Sequence, residues 1–253
     1  MIYMIRYLLI FLTIFSTSVF AMDMNHCEYT QDELGKKYPK MMHHDMNQSF
    51  DQLRVSIPSM QRMTNQQIMG MMKMMGPNYY WPVSEQGSVN NGVLIMAHGY
   101  GPGGDQDLFD STQSVGMIYQ TTLSMGMSMM TSSHVICSVN EMIHNDVEKI
   151  FVVPVSSTAH NPLVSQWNYI FGLEENYAYA EVEQINNEKI VMLDPISDDL
   201  YAKKIILEYT NEISSDPSNE VLIIIAHGPI DEVDNNIELD LMNNIGDLSL
   251  IHI

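Results

Sequence analysis

The stretch that most constrains this chain is Gly92–Gly104, "GVLIMAHGYGPGG". Six residues without a charge run into His98 and Gly99 and then into a glycine-rich segment. A continuous apolar run has no polar face to offer water. It predicts a strand covered on both sides, as in a parallel sheet layered by helices. A close echo, "VLIIIAHGP", starts at Val221 and places His227 129 positions after His98. Two such phrases predict two related halves, each built on a parallel sheet.

From Asn90 onward the chain alternates apolar runs with helical periodicity. A helix is expected from about Leu108 to Tyr119. "LSMGMSMMT" (123–131) alternates and reads as a strand, whereas "HVICSVNEMIHNDV" (134–147) has apolar residues one turn apart and reads as a helix. "KIFVVPV" (149–155) and "KIVMLDP" (189–195) read as strands. "SDDLYAKKIILEYTNEI" (197–213) opens on Ser197 and acids, as a helix start does. "EVLIIIA" (220–226) reads as a strand, followed by an acidic helix from about Glu232 to Asn244. Strand and helix in alternation predict an α/β fold of two Rossmann-like halves, 89–172 and 173–253. The second half is short: only 26 residues follow His227, which predicts an incomplete unit.

Residues 22–88 differ. They hold 12 of the 23 Met, together with His26, His43 and His44. "SMQRMTNQQIMGMMKMM" (59–75) spaces Met60, Met63, Ile68, Met71 and Met75 as on one helix face, with Gly76-Pro77 as the stop. A Met-rich helical region can pack its flexible side chains onto a neighbouring domain. Thioethers and imidazoles also suit a soft ion such as Cu(I).

The first 21 residues read as a secretory signal: Arg6, an apolar run from Tyr7 to Phe15, and Val19-Phe20-Ala21 before a cut after Ala21. This predicts a periplasmic or secreted protein, not embedded in the membrane once the signal is removed. Export favours a disulfide between Cys27 and Cys137, with free or metal-bound thiols as the alternatives. The formal net charge of -20, with 18 acids against 3 Lys from Leu173 to Ile253, argues against nucleic acid as a partner.

Ligands of parallel sheets bind at the carboxyl ends of strands. His98, His160 and His227 all follow apolar runs, and imidazole is a common ligand for divalent transition metals. "GVLIMAHGYG", "VEKIFVVPVSSTAHNPL", "KIVMLDPISDDLYAKKI" and "VLIIIAHGP" resemble the landmarks of the sirohydrochlorin cobaltochelatase/ferrochelatase family, over roughly Asn90 to Asn244. The resemblance implies a tetrapyrrole chelatase in which His98 and His160 receive a divalent metal (Co2+, Fe2+ or Ni2+) and help remove the pyrrole protons. His227 is a further metal ligand, and Gly99, Tyr100 and Gly101 lie against the tetrapyrrole. Tyr100 stands where the family has Ser, and no carboxylate appears between "MMTSS" and Glu141.

Two other readings compete. One is a non-catalytic periplasmic protein that binds metal or tetrapyrrole. The other is an α/β-hydrolase using "AHGYGPGG" as an oxyanion loop, for which the Gly-x-Ser-x-Gly elbow is missing: "GMSMM" lacks the last glycine. Asp105 and Asp107 could add oxygen ligands, and Gly101, Gly103 and Gly104 could serve either ligand approach or plain loop flexibility.

Overall fold

A computed structural model describes residues 27–40, 46–197, 200–226 and 232–250. The signal segment, His26, His43, His44 and His227 lie outside the described residues.

The apolar phrase forms β4 (Asn91–Ala97), an interior strand of a seven-stranded mixed sheet. With β1 (Tyr29–Gln31), β2 (Lys37–Pro39), β3 (Tyr79–Ser84), β5 (Gln120–Met125), β6 (Lys149–Pro154) and β7 (Ile190–Met192), the order is β1-β2-β3-β5-β4-β6-β7. β5, β4, β6 and β7 run parallel; β1, β2 and β3 join antiparallel on the β5 side.

Side chains alternate along a strand, so β4 feeds two cores at once. Leu94 and Met96 pack under α5 (Ser133–His144) and α6 (Pro162–Ile170), with Val135, Val139, Val164 and Trp167. Ile95 and Ala97 face the other way, beneath Leu108 and Phe109 of α3 (Gly101–Ser111), beside Trp81 and Leu123. This double cover is why the run tolerates no polar position.

The 22–88 region is part helix and part sheet, so the expectation of a helical region is corrected: β1, β2 and β3 belong to the main sheet. They are recruited by charge and aromatic contact. The Lys36 ammonium lies 4.5 Å from the Trp81 ring centre and 5.0 Å from that of Tyr79. Lys37 does the same on the opposite face against Tyr29 and Tyr80 (5.0 and 5.5 Å), and donates to Glu141 of α5 at 2.6 Å. Both lysines are only 7% exposed, a burial tolerable because ring faces and a carboxylate replace water. Cys27 and Cys137 are joined in a disulfide, tying the same strip to α5.

The 59–75 stretch is not one helix. A 3-10 turn at Pro58–Met60 and α2 (Asn65–Met74) are separated at Thr64, which caps α2 in a reciprocal pair with Gln67. With α1 (Met46–Ser56), they bury Phe50, Leu53, Met60 and Ile68 against Met129, Met130 and Ala180. Met60 is buried in this cluster and Met46, Met63, Met71 and Met72 pack against it, whereas Met69, Met74 and Met75 are exposed.

Other expectations also shift. The 123–131 strand ends at Met125, because Gly126 (φ 135) and Ser128 (φ 54) leave the extended region. The 108–119 helix starts earlier and divides into α3 and the short α4 (Gln113–Gly116), so Gly101, Gly103 and Gly104 sit in a first helical turn. α7 (Leu200–Ile213) and α8 (Glu232–Leu250) form as expected, α8 running longer. Val221–Ala226 forms no strand, and the second parallel sheet is absent among the described residues. A strand exists only by pairing, and among the described residues this segment pairs with no other. No helix among the described residues is long and apolar enough to cross a membrane.

Two stability predictions follow from these contacts. Replacing the disulfide by Cys27→Ser with Cys137→Ala frees a loop spanning 110 positions and should lower unfolding free energy by about 2–4 kcal/mol in urea titration. Separately, burial holds the His134 imidazole down to about 3 from its ordinary 6.5. The unfolded chain therefore binds that proton better, so this stability is complete above about 6.5 and is lost as pH falls toward 3. His134→Gln should flatten that part of the stability–pH curve by roughly 4–5 kcal/mol; identical curves for the two proteins would refute the assignment.

Candidate functional site

β4 and β6 are parallel neighbours whose chains leave the sheet in opposite directions. After β4 the chain enters α3 on one face; after β6 it enters α6 on the other. The loops diverge to opposite layers at the carboxyl edge, the switch point of a doubly wound sheet, where folds of this kind place a ligand crevice. His98 starts one loop and His160 ends the other, and both side chains are exposed.

The His98 loop is held from beneath. Gly99 (φ 93) and Gly101 (φ 79) take backbone turns that side chains disfavour. Gly104 is required for another reason: a Cβ there would stand 2.6 Å from the Cβ of Tyr100. Asp105 is turned inward and buried, accepting from the Tyr100 amide and the Tyr79 hydroxyl, each at 2.6 Å. It is a strut for the loop, and the sequence suggestion of an oxygen ligand at Asp105 is corrected accordingly. Asp107 lies exposed along α3 with no such tie among the described residues. Partial burial and the Asp105 charge raise the Tyr100 phenol above its ordinary value, so it stays protonated and packs edge-on to the His98 ring at 4.7 Å.

His98 has a defined tautomer. Its Nδ1 lies 2.5 Å from the Gly99 carbonyl, which can only accept, so Nδ1 carries the proton. The lone pair is left on Nε2, the form in which imidazole binds a metal or takes a proton.

The His160 loop is tied by short-range bonds. Asn161 caps α6 by accepting from the Leu163 and Val164 amides at 3.0 Å each. Its Nδ2 donates back to Ser156 Oγ at 2.8 Å and the Thr158 carbonyl at 3.0 Å. Thr158 Oγ1 accepts from the His160 amide at 3.0 Å. Asn161-Pro162 is a legible helix start in the sequence, whereas the latch to Ser156 is visible only in space.

No hydrogen bond or ring contact joins His98 to His160, and among the described residues no group of three or more His, Cys, Asp or Glu gathers as a metal cage. The switch point is thus flanked by two exposed imidazoles, each on a braced loop. α3 starts at the carboxyl edge with its positive end toward the His98 loop, which favours anionic groups there, whereas the first amides of α6 are taken up by Asn161.

A Ser–His pair exists elsewhere. Ser128 Oγ and His134 Nε2 are 3.2 Å apart, just past β5. Ser128 is 0% exposed, and His134 Nδ1 has no partner. A nucleophile needs access and its base an orienting group; this pair has neither, and it acts as a buried hydrogen bond that fixes the turn.

Compared with models of known protein families, with curated proteins and with solved structures, the chain matches none of them.

The strut can be tested. Asp105→Ala leaves the Tyr79 hydroxyl and Tyr100 amide unpaired and should cost about 2–4 kcal/mol in urea titration, against about 1 for Tyr79→Phe. Equal losses in the two variants would show that Asp105 does not brace the loop.

Proposed function

We propose that the crevice between the β4 and β6 loops binds a divalent transition-metal ion through His98 and His160. The protein is exported and chelatase-like, and the ion is its cargo or substrate. The observation that carries this reading is the pair of exposed imidazoles flanking the switch point, His98 with its Nε2 lone pair free. Two imidazole donors on separate loops hold an ion loosely, which suits a protein that passes metal on. The acidic surface, with a formal net charge of -20, concentrates cations around it.

The resemblance to the sirohydrochlorin chelatases extends this reading to a tetrapyrrole. The rim carboxylates of such a ring would face the amide end of α3, with Gly99, Tyr100 and Gly101 as the wall. Insertion exchanges two pyrrole N–H protons for one dication, and the His98 and His160 imidazoles are the bases at hand. One observation favours the non-catalytic alternative: the nearest loop carboxylate, Asp105, is committed inward to Tyr79 and Tyr100. A binder needs only the imidazoles. His227, outside the described residues, is a third donor in this proposal.

Calorimetric titration of the mature protein with Co(II) and Ni(II) tests the reading. His98→Ala and His160→Ala should each weaken binding roughly tenfold or more. Binding unchanged in both variants would sink it. Incubation with Co(II) and sirohydrochlorin separates the two forms: a visible-spectrum change with turnover marks a chelatase, and stoichiometric retention marks a binder.

A further inference from the structure

We propose that Val221–Ala226 is a strap that closes onto the free edge of β7 as an additional parallel strand. Two unsatisfied features of the molecule fit each other. β7 is paired with β6 on one side and, among the described residues, with no strand on the other. Val221–Ala226 is a run of six apolar residues, of which Val221, Ile223 and Ile225 are 85%, 75% and 89% exposed. Exposed apolar surface of this kind is covered in a stable arrangement.

The connector between them has the right form. A parallel strand must be reached by a crossover of a dozen or more residues, normally helical. Here it is α7, 14 residues long, or about 21 Å at the α-helical rise. A six-residue strand spans about 20 Å, so α7 runs the chain back along one strand length. The direction also agrees. From β4 the sheet grows outward through β6 to β7, and the next position in that series is the vacant one beyond β7. The turn that launches the strap is already built: Glu220 accepts from Ser214 Oγ at 2.6 Å and from the Ser215 and Asp216 amides at 3.1 and 3.0 Å. Closure would also bring the apolar side chains of α7, Ile205 and Ile213 among them, over the extended sheet.

The strap acts within one chain, because both the edge and the segment belong to the same β–α–β unit. The same edge of a second copy is the competing partner. The test is amide hydrogen exchange on the full, disulfide-bonded chain at two concentrations tenfold apart. The expected result is that Val221–Ala226 exchanges at least tenfold more slowly than an unstructured peptide, equally at both concentrations. Ile223→Pro, which removes a donor from the strap, should release the outer edge of β7 as well while β4 stays protected. Peptide-like exchange of Val221–Ala226 in the unaltered chain overturns the proposal. So does protection that rises with concentration alongside dimer formation. This outcome is independent of whether His98 and His160 bind metal.

Discussion

The fold rests on the double burial of β4. A strand that is apolar from Val93 to Ala97 can lie only between two covered faces, with both backbone edges hydrogen bonded. β5 and β6 supply the edges, α5 and α6 cover one face, and α3 covers the other. From β4 the chain crosses through α3 on one face to β5, and from β6 it crosses through α6 on the other face to β7. The crevice is the by-product: two loops that start side by side must part company to reach opposite layers.

The second organising feature is the way an N-terminal strip of strands is held to that α/β core. Short antiparallel strands of three residues contribute little on their own. Here adjacent lysines grip opposite faces of the sheet, Lys36 over Trp81 and Tyr79, Lys37 over Tyr80 with Glu141, and the Cys27–Cys137 bond fixes the strip to α5. The methionines of α1 and α2 then meet those of the loop after β5, where flexible thioethers fill an irregular contact.

The site depends on bracing from outside itself. Asp105 links the His98 loop to β3 through Tyr79, so a strand from the N-terminal strip helps set the shape of the crevice. The Asn161 latch does the equivalent for His160 from within its own loop. Exposed imidazoles on fixed backbones keep their side chains free for a ligand while the loops carry no ordering cost on binding.

The sequence by itself determined β4, β6 and β7, the helices α5, α7 and α8, and the placement of His98 and His160 past strand ends. Each follows from local periodicity or an uninterrupted apolar run, which a single segment carries. It could not assign β1, β2 and β3, whose pairing depends on Tyr79, Trp81 and Tyr80 meeting lysines tens of residues away. It also favoured a strand at 220–226 on composition alone, and a strand is a relation between two segments. Tertiary structure decided that Asp105 faces inward, that Ser128 and His134 are sealed, and that the glycines after His98 begin a helix. In every such case the deciding quantity is which distant atoms surround the residue, and neither propensity nor spacing contains that.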